Sequence, residues 1–279
     1  MAGWEVLAPR RKWETSKATR WLNNLAISLI NTMVLRMVFV VGVTGVALLA
    51  QQHGWGVLNF VTWPEWTKIL IAIIILDFVV YAQHVAFHKI PVLWRLHKVH
   101  HSDMDFDVTT AVRFHPMEIL ISMLIKIGAV LGIGASSTAV LIFEILLNGM
   151  ALFNHSNVRI PSWIDRRLRW ILVTPDMHRV HHSVMSQEMN SNYGFNLPWW
   201  DRLLKMYQSQ PCLAHETMTI GLEQFRNPRK LTLWHLLCLP FIAEPTGGLP
   251  HDSDHFTRMP SAEGFVEQEL NKKEEVLTS

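Results

Sequence analysis

Apolar residues in this chain gather into long blocks, and polar residues fall between the blocks rather than alternating within them. Four blocks approach the roughly 20 residues that an α-helix needs to cross a hydrocarbon core of about 30 Å. They cover residues 25–50, 69–87, 117–135 and 137–153. The first is interrupted by Arg36, a charge that is expensive in lipid and is expected to face a protein interior or to snorkel. An interfacial helix leading into a span fits that block equally well. Between the third and fourth blocks, Gly134, Ala135 and Ser136 leave room only for a tight hairpin. The pattern predicts an all-α integral membrane protein with about four transmembrane helices.

Positive charge orients the spans. The leader with Arg10, Arg11, Lys12, Lys17 and Arg20, the segment 89–113, and the stretch with Arg159, Arg166, Arg167 and Arg169 all fall on one side. By the positive-inside rule that side is expected to be cytoplasmic, with both termini inside. The first apolar block follows the basic leader and is too long for a signal-peptide core, so the N-terminus is expected to be retained. Residues 234–242 are too short to span and are expected at the interface. From residue 247 onwards Pro, Gly and Asp give way to Glu267, Glu269, Lys272, Lys273, Glu274 and Glu275, the composition of a solvated or disordered tail. Three parts result: a basic cytosolic leader, 1–24; a membrane-embedded domain, 25–246; and the tail, 247–279.

Composition agrees. Of 279 residues, 49% are hydrophobic and 17% charged, against about a quarter charged in soluble domains. The formal net charge of +2 gives no reason to expect nucleic acid. Cys212 and Cys238 lie far apart and form no CxxC, so neither a disulfide framework nor a thiolate metal site is indicated. The 12 tryptophans, Trp199 and Trp200 among them, fit interfacial anchoring.

Histidine is the anomaly, with 15 copies against 3 tyrosines. His84 and His88 end the second block one helical turn apart. His97, His100 and His101 follow as His-x-x-His-His, and His178, His181 and His182 repeat that pattern after the fourth block. His155 ends the fourth block and His115 begins the third, so all ten reach one membrane surface, in what is expected to be a cytosolic histidine-rich helical cap. On a helix the first residue of such a triplet meets i+3 on one face while i+4 diverges, so two adjacent metals can share the triplet. A nitrogen site without thiolates suits iron, zinc, copper or nickel. One zinc takes three or four protein ligands, so eight to ten histidines point to two metals. Iron is favoured because open positions on a redox-active pair can bind and cleave dioxygen. His53, His215, His235, His251 and His255 lie outside the motifs and read as ordinary surface or core residues.

Asp77, Tyr81, His84 and His88 line one face of the second span. Asp77 is a candidate acceptor for the second ring nitrogen of a ligating histidine, or else a polar packing residue. Glu144, Asn148 and His155 share a face of the fourth span. A glutamate there invites a functional reading, with pairing to Arg36 as the alternative.

Read in order, His84-Val85-Ala86-Phe87-His88, His97-Lys98-Val99-His100-His101 and His178-Arg179-Val180-His181-His182 resemble the fatty acid hydroxylase and sterol desaturase superfamily. Arg113-Phe114-His115-Pro116-Met117-Glu118, Asn154-His155-Ser156-Asn157, Thr174-Pro175, Asn192-Tyr193-Gly194 and Trp200-Asp201-Arg202-Leu203 extend the resemblance over about residues 69–207. It implies an all-helical membrane enzyme whose cytosolic cap encloses two irons and whose lipid substrate arrives laterally from the bilayer. It also implies that His84, His88, His97, His100, His101, His155, His178, His181 and His182 bind the metals, with His115 a tenth ligand or an outer partner. Position 151 is Ala, where some fatty acid hydroxylases carry a further histidine.

The reaction expected is dioxygen-dependent hydroxylation or desaturation of an unactivated carbon. No catalytic residue beyond the metal ligands is identified. Neither a haem domain nor a cysteine-ligated cluster is visible, so an external electron donor is expected: a separate reductase, ferredoxin or cytochrome. Two other classes compete. A metal hydrolase lacks its His-Glu-x-x-His, because His215-Glu216 has no second histidine. A non-enzymatic metal-binding or metal-transport membrane protein would place ligands near the bilayer midplane.

Overall fold

The computed structural model describes residues 1–227 and 231–242. Among them the regular structure is helical, and the only pairings of strand type are the isolated bridges Pro9–Val158 and Ser183–Ile220. The helices are α1 (Ala2–Leu7), α2 (Lys17–Val38), α3 (Gly42–Gln52), α4 (Glu65–Lys89), α5 (Pro91–His101), α6 (Pro116–Ile133), α7 (Ser137–Asn154), α8 (Ser162–Leu168), α9 (Pro175–His181), α10 (Ser186–Met189), α11 (Trp199–Leu203) and α12 (Leu233–Cys238). The tail expected at 247–279 lies outside the described residues.

Four stretches are long and apolar enough to cross a membrane: Lys17–Gln52, Glu65–Lys89, Pro116–Ile133 and Ser137–Asn154. The block read as 25–50 is therefore longer than its apolar core, and it is broken after Val38, where Gly42 takes a left-handed φ of 64° before α3 begins. The early start of α2 has a local cause, since the Ser16 hydroxyl accepts from the Thr19 amide. α2 is also inverted relative to a soluble helix. Its buried positions are Arg20, Asn24, Ile27 and Asn31, at alternating steps of four and three, whereas Leu22, Leu25, Leu29 and Met33 are exposed. A polar face turned inward and an apolar face turned outward suit a helix standing in lipid. Arg36 is exposed in the last turn of α2.

α3, α4, α6 and α7 pack on one another around Val43, Ala47, Leu76, Val130, Val140 and Phe143. Ala47, Ala72 and Ala139 are fully buried, and small side chains let neighbouring helix backbones approach closely. The hairpin between α6 and α7 turns at Gly134, with φ 74° and ψ 39°, and Ser136 caps α7 by accepting from the Ala139 amide. A Cβ on Gly134 would also meet the Trp55 carbonyl oxygen at 2.7 Å.

α4 ends, α6 begins and α7 ends at the same end of this bundle, and α5 and α8–α11 lie there too. The leader is stitched across that region. Glu5 accepts from the amides of Val108 and Asn157 at 2.8 Å each, and Arg11 donates to the Met218 carbonyl at 2.7 Å. The Arg20 guanidinium reaches Asp103 at 2.7 and 2.8 Å and Asp107 at 2.7 Å. Arg113 donates to the Val99 carbonyl, Asn24 and Ser102 at 2.8–2.9 Å. Burial alone would raise the Asp103 carboxyl, but Arg20 and Arg113 hold it well below the usual carboxylate range. This network ties the end of α5 and the loop after it to α2.

Removing one partner of a buried ion pair strands the others, at a cost of about 3–5 kcal/mol. Arg20→Met is therefore expected to lower the thermal midpoint of the detergent-solubilised protein by roughly 10 °C. A scan within 2 °C of the parent would contradict that role for Arg20.

Candidate metal centre

The histidines marked by the sequence come from four helices that meet at the end of the bundle. α4 carries His84 and His88 on its last two turns. The extended backbone at Ile90, with Pro91 opening the next helix, turns the chain into α5, which carries His97, His100 and His101. His155 follows the last residue of α7 as its C-cap. Thr174 caps α9 by accepting from the Met177 amide, and that short helix with its C-cap presents His178, His181 and His182. None of the nine is more than 3% exposed.

They fall into two groups. His84, His88, His97, His101 and His181 form one, and His100, His155, His178 and His182 the other; within each, one ligand atom per residue lies within 4.8 Å of all the rest. The groups adjoin, with His101 and His182 stacked at 4.6 Å between ring centroids. Both triplets are shared between the groups, but not in the way helix geometry alone suggested. The first and last members stay together, His97 with His101 and His178 with His182, while the middle ones, His100 and His181, cross to the opposite group. The reason is tertiary: α5 and α9 face each other, so the middle side chain of each reaches across to the pair held by the other.

Hydrogen bonds settle which ring nitrogen points inward. Nδ1 of His84 lies 2.7 Å from the Tyr193 carbonyl, Nδ1 of His181 2.7 Å from the Ser191 carbonyl, Nδ1 of His155 2.8 Å from the Ala151 carbonyl, and Nδ1 of His97 2.6 Å from Glu118 Oε1. A carbonyl oxygen can only accept, so Nδ1 of His84, His181 and His155 carries the proton and each of these neutral rings keeps a lone pair on Nε2. Burial favours the neutral ring, driving His97 down to about 3 and His155 to about 4. Burial, reinforced by neighbouring imidazoles, takes His100, His101, His178, His181 and His182 well below the ordinary histidine value.

Nε2 of His84 and Nε2 of His181 stand 3.1 Å apart, although neither carries a proton to donate. Nε2 of His155, also without a proton, lies 3.1 Å from Nε2 of His178 and 3.2 Å from Nε2 of His100, and its single lone pair can accept from only one of them. Lone pairs facing each other in a dry interior repel unless a cation sits between them. Nitrogens about 2.1 Å from a shared ion lie about 3.0–3.4 Å apart at octahedral and tetrahedral angles. The donor set therefore fits a transition ion in each group. Nε2 of His97, both ring nitrogens of His101 and His182, and Nδ1 of His100 and His178 are buried without a hydrogen-bond partner among the described residues, which agrees.

The remaining sequence candidates go elsewhere. His115 lies in neither group. Its Nδ1 accepts from the Met117 amide, which caps α6, and its Nε2 is 3.2 Å from the Leu237 carbonyl. Asp77 reaches no histidine but accepts from Asn196 at 2.8 Å and Trp200 at 2.7 Å, tying α4 to the loop before α11. Glu144 pairs neither with a metal group nor with Arg36, but with Lys126 at 2.6 Å, because α6 and α7 are the arms of one hairpin. His53 stacks on Trp55, His215 lies beside Asp176, and His235 is in α12. His251 and His255 lie outside the described residues.

Sequence reading passed over Glu118 as a site residue, although it stands in a quoted motif three residues after His115. It also passed over the acceptor loop. There Asp201 accepts from the Tyr193 and Gly194 amides at 2.8 and 2.9 Å, which holds the Tyr193 carbonyl against His84. A Cβ at Gly194 would approach Asp201 at 2.9 Å and the Leu197 carbonyl at 2.8 Å, so only glycine admits that contact.

The fatty acid hydroxylase family model matches residues 69–206, the segment that runs from α4 through α11 and carries every one of these histidines. Residues 69–206 form a fatty acid hydroxylase domain. The chain is 29% identical over 76% of its length to ornithine lipid hydroxylase OlsE of Rhizobium tropici, covering 64% of that protein. It is 30% identical over 58% of its length to alkylglycerol monooxygenase of Homo sapiens, covering 35% of it. With cholesterol 25-hydroxylase of Rattus norvegicus it shares 25% identity over 52% of its length, covering 48%. The chain thus spans between about a third and two thirds of these relatives. No solved structure matches it.

Outer partners of metal-bound histidines typically contribute 10- to 100-fold in affinity. Glu118→Ala is expected to weaken binding of a divalent ion by about that factor in a chelator competition. Glu118→Gln, which keeps an acceptor for His97, should lose much less.

Proposed function

We propose that this protein is a membrane-embedded lipid oxygenase that holds two irons through His84, His88, His97, His101 and His181 in one site and His100, His155, His178 and His182 in the other. The observation that carries the reading is the 3.1 Å approach of the unprotonated Nε2 atoms of His84 and His181, with a second cluster of Nε2 atoms gathered at 3.1–3.2 Å around His155. The fatty acid hydroxylase domain supports it, as do relatives named for lipid oxidation. Two irons, once bound, supply the reduction of dioxygen and the oxidation of an unactivated C–H bond. Hydroxylation consumes the C–H bond, one dioxygen, two electrons and two protons, and yields an alcohol and one water. Desaturation with the same inputs yields an alkene and two waters.

The chain's own residues supply place and dryness. A cavity of about 320 Å³ opens on His84 and His97 and carries Val80, Phe87, Ile119, Met123, Leu147 and Phe195 on its walls. Alkyl carbon enters such a space favourably, at about 25 cal/mol per Å² of apolar surface removed from water. His84, His97 and Glu118 all line this cavity, and Glu118 is held by His97. The electrons are assigned to a redox donor outside the centre, whose own groups are imidazole and carboxylate. The basic residues on the histidine side favour a cytoplasmic position for the centre and for the leader. Transport of metal is not favoured, because both histidine groups sit at the end of the bundle rather than midway along the spans.

Purified protein loaded with Fe(II) without oxygen is expected to retain two irons per chain by elemental analysis. It should then consume dioxygen with a chemical reductant and a bilayer lipid extract, producing hydroxylated or unsaturated lipid by mass spectrometry. His181→Ala should lose iron and turnover together while still inserting into membranes. One iron per chain at saturation, or full turnover in that variant, would overturn the assignment.

A further inference from the structure

The cavity below the histidines is more polar than an alkyl chain requires. Along α6 and α7, Lys126 and Glu144 line it seven or eight residues beyond Ala151 and Glu118, which is about 10–12 Å at 1.5 Å per residue. Lys126 Nζ lies 2.6 Å from Glu144 Oε1, with the side chains 15% and 24% exposed. Nearby, Gln83 donates to the Ser122 hydroxyl at 2.8 Å. Asn31 donates to the Phe114 carbonyl at 2.9 Å, while its own side-chain oxygen is buried with no partner among the described residues. Charged groups inside a spanning segment are expensive and tend to mark functional sites. An ion pair that served only to clamp α6 to α7 would have no need to face a cavity. This pair instead borders the space in which the alkyl chain must lie.

We propose that Lys126 and Glu144 recognise a polar group on the lipid substrate, an uncharged or zwitterionic group offering both a donor and an acceptor, such as a hydroxyl or amide. This rests on the cavity being the substrate site of the oxygenase. The polar group then lies within about 12 Å of the carbon presented to the histidines, as the helical rise between them requires. A bare hydrocarbon seated there would strip the pair of solvent and return no hydrogen bonds. A hydroxyl donates to Glu144 and accepts from Lys126, and so compensates both. A lone carboxylate or ammonium adds net charge to a balanced pair in a low-dielectric setting, which disfavours it. Sites that hydrogen-bond a substrate group discriminate strongly against analogues lacking it. Lys126 and Glu144 are thus specificity-determining residues.

The test uses the full chain in nanodiscs without iron, so that its outcome is independent of turnover, with tritiated 1-dodecanol, dodecane and dodecanoate as probes. After subtraction of partitioning into protein-free discs, the parent is expected to hold dodecanol at least about tenfold more tightly than either of the others. Lys126→Met combined with Glu144→Gln should abolish that preference and leave dodecane binding and iron uptake unchanged. Lys126→Arg with Glu144→Asp should restore most of it. No preference in the parent, or an equal loss for all three probes with a lowered thermal midpoint, would overturn recognition in favour of helix clamping. A dodecanol with a diazirine on the carbon next to its hydroxyl gives a check on the parent alone. Labelling within α6 or α7 supports the site, and labelling confined to other helices rejects it. If iron fails to bind while dodecanol is still preferred, it is the oxygenase reading that fails and not this one.

Discussion

The structure depends on neutral imidazoles crowded together in a dry interior, with the lone pairs of His84 and His181 facing each other at 3.1 Å. That approach is repulsive by itself, so it persists only if a cation lies between the rings or the surroundings leave the rings no alternative. The surroundings are arranged for this. The carbonyls of Tyr193, Ser191 and Ala151 take Nδ1 of His84, His181 and His155, which fixes those tautomers and aims Nε2 inward, and Glu118 takes Nδ1 of His97. Burial keeps the rings neutral, which is the form that coordinates metal. Proton placement and metal affinity are in this sense one property of the fold.

The rest of the cap serves that geometry. α9 is only seven residues long and could not hold its shape in isolation, since helices that short are unstable without tertiary support. It is kept by the Thr174 cap and by Asn192, which donates to the Met177 carbonyl at 3.1 Å from a left-handed backbone with φ 52°. The loop that supplies the Tyr193 and Ser191 carbonyls is fastened by Asp201. On the opposite side the acidic run Asp103, Asp105 and Asp107 meets Arg20, Trp21 and the backbone of Glu14 and Thr15. The basic leader is thereby neutralised by an acidic segment directly following a histidine triplet. Charge that reads as a membrane-orientation signal along the sequence is also structural glue for the cap.

The spans connect this cap to the bilayer. α4 and α7 carry histidines at their cap ends and pack through small side chains deeper down, so the same helices that build the membrane core also set the distance between the two halves of the centre. Between α2, α4, α6 and α7 they leave a cavity that is apolar near the histidines and polar farther in. Relatives named for ornithine lipid, alkylglycerol and cholesterol share the family but act on chemically different molecules. Lys126 and Glu144 belong to the wall of that cavity, which the proposed function makes the substrate site.

By itself the sequence determined what is local. Hydrophobic blocks of 17 or more residues announced the spans, because transfer of an apolar helix into lipid depends on composition and length alone. The HxxxH and HxxHH spacings marked eight of the nine histidines, because helix periodicity holds wherever the helix is, and His155 was marked by its place at the end of the fourth block. Tertiary structure decided which histidine joins which group, since that follows from α5 facing α9. It decided that Glu144 meets Lys126 and not Arg36, that Asp77 binds Asn196 and Trp200, and that His115 caps a helix. It also decided that the acceptor for His97 is Glu118, 21 residues away. Each of these depends on a partner from a distant part of the chain, and the periodicity of one helix carries no information about the orientation of the next.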